Sequence, residues 1–131
     1  FRLIGRRLVW NHNTWTHNSR RLLKGAGPIS VQLHPSDASR LGVGTGEIVT
    51  VRSRPGQVDI EVEIDDDMSP GVVSIPQGWG HHGPGIGMRT AAGQPGVSIN
   101  SLTDGDRIDP VTGNAAFNGT PVAISPARRA A

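Results

Sequence analysis

From Val58 onward the chain alternates. Val58, Ile60, Val62 and Ile64 are apolar, while Asp59, Glu61, Glu63 and Asp65 are charged. A period of two predicts a half-buried antiparallel strand. Residues 46–54 (Gly-Glu-Ile-Val-Thr-Val-Arg-Ser-Arg) read as its partner, and Pro55-Gly56 as the turn that joins the pair into a hairpin. The acidic outer face then reads as a solvated sheet edge that resists edge-to-edge aggregation. Phe1-Arg2-Leu3-Ile4 alternates weakly and reads as a strand ending at Gly5. Residues 29–33, 72–75 and 121–124 are short apolar runs of strand length. Val97-Ser98-Ile99-Asn100 is another, and it sets Asn100 at a strand exit. Residues 34–42 carry helix signals instead: Pro35 at the first helical position, Asp37 near the positive end of the dipole, Gly42 as a left-handed stop.

Two stretches break the pattern. Residues 11–19 are crowded with Asn, His and Thr, types that bond to nearby backbone and favour turns. Trp10 and Trp15 flank or sit in this polar loop, a combination that suits a binding surface. Residues 76–85 (Pro-Gln-Gly-Trp-Gly-His-His-Gly-Pro-Gly) leave a strand as a Gly-rich loop, which lets backbone approach a ligand closely. The pattern therefore predicts six or seven short strands, one short helix and several long loops, arranged as a closed or partly closed β-barrel.

Composition narrows the chemistry. The 131 residues suit one domain, expected over 1–126 with 127–131 as a frayed tail. The chain has no cysteine, so disulfides, iron–sulfur ligation and cysteine-based zinc sites are excluded within it. A cytoplasmic location is compatible with that composition and is the expectation. No apolar stretch is long enough to span a bilayer, and no signal-peptide pattern is present. The first residue is Phe, not Met, as expected of a domain cut from a longer protein or of a trimmed chain. Residues 1–24 hold Arg2, Arg6, Arg7, Arg20, Arg21 and Lys24 and no acid, so positive potential gathers in the first segment and favours anionic ligands.

Within residues 5–16, Arg6 and Arg7 can grip phosphate. Asn11, Asn13, Thr14 and Thr16 can read the polar edges of a heterocycle, and Gly5 permits close approach. Other groupings carry less. Adjacent His81-His82 rarely ligate one metal; His12 and His17 could bind zinc, but cofactor contact or surface exposure fits them better. Trp79 could serve as a plain core aromatic, and Asn100 as a turn cap. Asp65, Asp66 and Asp67 read as a solvent-facing turn. Ser19, Ser36 and Ser53 lack a His/acid partner pattern, and Gly85-x-Gly87 is followed by no helix pattern. Three function classes remain: a cofactor-binding module; a basic barrel binding single-stranded nucleic acid by phosphate contacts and Trp10/Trp15 stacking; and, last, an enzyme with its own active site, for which no residue set supplies nucleophile, base and stabiliser.

The motifs, taken in order, resemble the molybdopterin-dinucleotide-binding domain of the dimethyl-sulfoxide-reductase family, which includes formate dehydrogenases and nitrate reductases. The resemblance begins at Gly5-Arg6 with the His/Asn/Thr-rich stretch. It continues through Leu33-His34-Pro35-Ser36-Asp37-Ala38 with Leu41-Gly42 and Gly46, then Val51-Arg52-Ser53-Arg54-Pro55-Gly56. Pro70-Gly71-Val72-Val73, Pro76, Gly78-Trp79-Gly80-His81, Asn100-Ser101-Leu102-Thr103-Asp104, Asp109-Pro110 and Phe117-Asn118-Gly119 complete it. It implies a mainly β fold, a six-stranded double-psi β-barrel with one or two short helices. It implies a cofactor, bis-molybdopterin guanine dinucleotide with molybdenum or tungsten, held in a parent enzyme and absent from the isolated domain. The cofactor-binding residues it implies are Gly5, Arg6, Arg7, Asn11, His12, Asn13, Thr14, Trp15, Trp79, Gly80, His81, Asn100 and Asn118, with no catalytic residue and no metal ligand. Asn118 stands where relatives often carry Lys, so a charge is missing there. The implied partners are the other domains of the parent oxidoreductase, including an iron–sulfur domain, with no nucleic acid and no membrane.

Overall fold

The computed structural model, which describes residues 1–9, 11–24 and 27–127, gathers the apolar runs into one sheet. Its strands are β1 (Arg2–Arg6), β2 (Ser30–Leu33), β3 (Ile48–Arg52), β4 (Gln57–Ile64), β5 (Val72–Pro76), β6 (Thr120–Pro121) and β7 (Ala123–Pro126). Helix α1 (Pro35–Leu41) follows β2; a one-turn helix α2 (Arg89–Ala92) and a 3-10 helix (Ile99–Leu102) lie between β5 and β6. Among the described residues no helix is long and apolar enough to cross a membrane.

The strand order is β6-β1-β5-β2-β4-β3-β7. Pairs β1/β5 and β2/β4 are parallel, and every other pairing is antiparallel. Strands β6 and β7 stand at opposite ends of that order, yet only Val122 separates them. The sheet must therefore curl until its ends meet. Residues 120–126 act as one bent segment that joins the two ends of the circuit, pairing with β1 through β6 and with β3 through β7; seven strands are named where six were expected.

Burial follows from the circuit. Alternate residues of β3 and β4 point inward: Val49, Val51, Ile60 and Val62 are buried. Strand β5 is paired along both edges, by β1 and β2, and its Val73-Ser74-Ile75-Pro76 run is buried without alternation. Val49, Val51, Ile60, Val62, Val73 and Ile75 form one core with Leu3, Val31, Leu33, Ala38, Leu102 and Ile124. Helix α1 is capped as its sequence predicts. His34 Nδ1 accepts from the Ser36 N–H at 3.1 Å, and Gly42 adopts a left-handed φ of 68°. Asp37 does more than complement the dipole: buried, it accepts from Arg40 Nη2 at 2.8 Å and from the Gly71 N–H at 2.6 Å, tying α1 to the turn before β5.

Four expectations change. Strand β1 runs through Arg6 and not to Gly5, because Arg6 still pairs with Pro76. The strand expected over 46–54 is shortened to Ile48–Arg52, since Gly46 takes a φ of 88°. Strand β4 is not an edge: β2 pairs on one side and β3 on the other, so its acidic side chains do not guard a free ladder. Residues 97–100 form no strand; Ile99–Leu102 turns as a 3-10 helix that buries Ile99 and Leu102 against β4, and Asn100 lies within it. Ala127, at the start of the expected tail, donates its N–H to Ile48 O at 3.0 Å; residues 128–131 lie outside the described residues.

Leu33 is fully buried, so Leu33→Ala leaves a cavity and is expected to cost about 2–5 kcal/mol in denaturant unfolding. A cost under about 1 kcal/mol would place Leu33 outside the core.

Candidate functional site

Parallel pairing decides where the long segments go. Strands β1 and β5 run in register from Arg2↔Val72 to Arg6↔Pro76, so the chain leaves both at the same rim. Strand β3, antiparallel to β4, which is parallel to β2, ends there too. That rim therefore receives the connections 7–29, 53–56 and 77–119. The other rim receives α1 and the turn 65–71.

The first connection is pinned to the third. Asn11 Nδ2 donates to Gln77 O at 3.4 Å. Gly78 holds a φ of 89°, and a β-carbon there would lie 2.8 Å from Asn13 O; only glycine lets the two backbones meet. His17 is fully buried. It stacks on Trp79 with ring centroids 3.8 Å apart, and its Nδ1 lies 2.7 Å from His81 Nε2. Burial lowers the proton affinity of both imidazoles; each is further opposed by a neighbouring histidine, His81 for His17 and His82 for His81.

The third connection is also pinned to itself and to the β3–β4 turn. The Gly80 and His81 N–H groups both donate to Pro95 O, at 2.8 and 3.1 Å. A β-carbon on Gly80 would come within 2.6 Å of Ser98 Cβ. A cleft of about 490 Å³ opens beside this contact, lined in part by Asp59, His82, Ser98 and Ser101. In the β3–β4 turn, Arg54 pairs with both Asp104 and Asp106 and holds the Asp104 carboxyl at about 2, below the usual range.

Arg6 spends its charge inward. Its Nη2 donates to Ser30 O at 3.2 Å and its Nη1 to Ser74 O at 3.5 Å, with Glu63 3.8 Å away. Burial pulls its pKa down, countered by Glu63 and then Asp65. Ser30 Oγ donates to the same Glu63 carboxylate at 2.5 Å. The guanidinium thus ties four strands at the rim, and its Nε is buried without a partner. Beside it, the Gly5 N–H donates to Asn118 Oδ1 at 2.9 Å.

The residues singled out from sequence divide accordingly. Arg7, His12, Asn13, Thr14, Trp15, Asn100 and Asn118 are exposed. Gly5, Arg6 and Asn11 are half-buried, whereas Trp79 and His81 are buried, with Gly80 between them. Residues 11–17 touch 77–81, and 77–81 touch 95–98, so the first two segments are joined directly and Asn100 follows two residues after the third contact. Trp10 lies outside the described residues. His17, expected at the surface or on a cofactor, is instead buried as the centre of the joint. His81 works with His17 and not with its neighbour His82. Gln77, whose carbonyl receives Asn11, carries no signal in the sequence. The signal for His17 is its place two residues after a Trp in a loop rich in turn formers, which does not specify burial.

Residues 1–121 match the family model described as "Molydopterin dinucleotide binding domain". The chain is 29% identical to a tetrathionate reductase subunit of Salmonella typhimurium over 72% of its length. It is 30% identical to the arsenate respiratory reductase molybdopterin-containing subunit of Chrysiogenes arsenatis over 68% of its length. It spans 11% of each of these curated relatives. Its fold is that of a part of acetylene hydratase from Pelobacter acetylenicus, with a TM-score of 0.80 at 22% identity, covering 97% of this chain and 18% of that one.

Gly78→Ala is expected to drive the two loops apart. Amide exchange at residues 11–18 and 77–81 should accelerate while β2 to β4 keep their protection, with a destabilisation above about 1 kcal/mol. Unchanged loop exchange would show that the Gly78–Asn13 contact does not hold them.

Proposed function

The chain belongs to the molybdopterin dinucleotide binding domain family, and on that premise we propose that its long-loop rim cradles a molybdopterin guanine dinucleotide within a larger molybdenum oxidoreductase. The observation that carries this reading is the joining of three segments at one rim with polar groups left unspent. Asn11 Oδ1 and Thr16 Oγ1 are buried without partners there, and Arg7, His12, Asn13, Thr14 and Asn100 stand exposed. That donor set fits the group. Arg7, with the exposed Arg20 and Arg21, supplies charge for phosphate, and the amides and hydroxyls suit the edges of guanine and pterin. Arg6 is assigned a supporting role, because its guanidinium is committed to the Ser30 and Ser74 carbonyls.

When bound, the cofactor supplies the redox chemistry through its metal; the chain's part is orientation and electrostatics. We assign the bis form and molybdenum to the parent enzyme, and an iron–sulfur domain and any metal ligand to other parts of it. A cytoplasmic setting belongs to the same reading. Val9, Trp15 and Leu22, at 105%, 83% and 53% exposure, lie in the first connection, and the other domains of the parent enzyme would cover them.

Arg7→Ala and Asn100→Ala, made singly in the intact protein, test the assignment. A hydrogen bond to a charged group contributes about 1.5–3 kcal/mol, so Arg7→Ala should weaken cofactor retention roughly tenfold or more with the thermal midpoint unchanged. Metal content and released guanine nucleotide provide the readout. Normal content of both in the two variants would remove this face from the cofactor site. Steeply salt-dependent binding of random single strands would instead favour the nucleic-acid alternative.

A further inference from the structure

We infer that His17 and His81 form a positioning clasp: their shared hydrogen bond holds the two site loops together while at least one ring is neutral, so that acid releases the loops and with them the grip on the cofactor. The cofactor clause rests on the function proposed above; the clasp itself does not.

The geometry carries the argument. The two rings come from segments more than sixty residues apart, and both are buried, His17 completely and His81 at 5% exposure. Nδ1 of His17 and Nε2 of His81 face each other at 2.7 Å. One of these nitrogens must donate and the other accept, so the contact needs a lone pair on one ring. With one ring protonated the bond survives. With both protonated, two N–H groups meet at hydrogen-bond distance with no acceptor between them. The bond is then replaced by repulsion in a poorly solvated site. Trp79 stacks on His17 and meets His81 at a tilt, with centroids 5.9 Å apart, so neither ring can turn aside without unpacking the indole.

Few charged groups face the pair. Within residues 11–18 the other titratable side chain is His12, and within 77–82 it is His82, both exposed; Arg7, Arg20, Arg21 and Lys24, elsewhere on the first connection, are exposed too. Residues 95–98 contribute none. Helix α2, whose Thr90 and Ala91 N–H groups are capped by Asn18 Oδ1, contributes the exposed Arg89. No carboxylate in these segments offsets a buried imidazolium; from β4, the exposed Asp59 lines the cleft beside Gly80 and His82. Burial depresses both proton affinities below the ordinary 6.5, with the Gly78 carbonyl countering in part at His17. For a depressed base the docked state is fully stabilised above the ordinary value and loses that support as the pH falls below it.

The test is amide exchange in the intact protein, corrected for intrinsic rate, from about pH 7.5 down to about pH 5. Protection of residues 11–18 and 77–81 should fall together by roughly tenfold, while β2 to β4 hold. His81→Gln keeps an amide able to donate or accept but cannot titrate, so it should flatten that dependence. His81→Phe keeps bulk without the bond and should loosen both loops at every pH. Wild-type loops whose protection ignores pH would overturn the clasp, as would a His81→Gln protein with the wild-type pH profile. Should the variants not fold, imidazole nitrogen spectra of the wild type decide: the two rings must titrate below the ordinary range and together with loop release. Cofactor release followed over the same range separates the two claims. Loops that open in acid while the cofactor stays bound count against the proposed cofactor face, whereas loops that stay closed count against the clasp.

Discussion

The parallel ladder between β1 and β5 is the constraint from which the site follows. Parallel neighbours deliver the chain to the same rim, so the segments after Arg6 and after Pro76 cannot avoid one another. The second parallel pair, β2/β4, runs the other way and sends α1 and the turn 65–71 to the opposite rim. One rim is thereby short and tightly capped, with Asp37 bound to Arg40 and Gly71. The other is mostly loop, with only the one-turn α2 and the 3-10 helix among its connections, and much of its order has to come from side chains and close backbone contacts.

Those contacts divide the polar residues into two kinds. Some are consumed in holding the rim: Arg6 on the Ser30 and Ser74 carbonyls, Arg54 on Asp104 and Asp106, Asn118 on the Gly5 N–H, His17 on His81. Others remain available, and these are the ones a ligand can recruit. A buried polar atom is costly unless it is bonded, so Asn11 Oδ1 calls for a donor and Thr16 Oγ1 for a donor or an acceptor, and on the proposed reading the exposed amides and Arg7 beside them would meet a polar, anionic ligand. Arg6 shows how the division can mislead. A guanidinium next to glycine in a basic segment reads as a phosphate grip, but the carbonyls at the barrel mouth claim it first.

Much of the fold was legible because local signals and the final packing agree. The β4 alternation as far as Val62, the Pro55-Gly56 turn and the caps of α1 all depend on neighbours within a few residues and appear as expected, whereas Ile64, at the end of β4, is exposed. The misreadings share a cause. Acidic residues on β4 resemble an edge because composition does not report what lies alongside. Val97-Ser98-Ile99-Asn100 has strand-like content, but Ile99 and Leu102 reach the core only when the backbone turns as a 3-10 helix. Of the site, the loops were legible as loops and the family motifs marked them, whereas the division of labour within them was not.

By itself, the sequence determined where most strands and turns fall, that the basic residues collect before residue 25, and which family the motif order resembles, since each rests on short-range spacing or on composition. Only the tertiary structure decided that His17 is buried against Trp79 and His81, that Arg6 faces inward, and that Gly78 must accept Asn13. Those facts require segments from 24 to 68 residues apart to be brought to one rim. That is the work of strand pairing, and no local pattern encodes the partner.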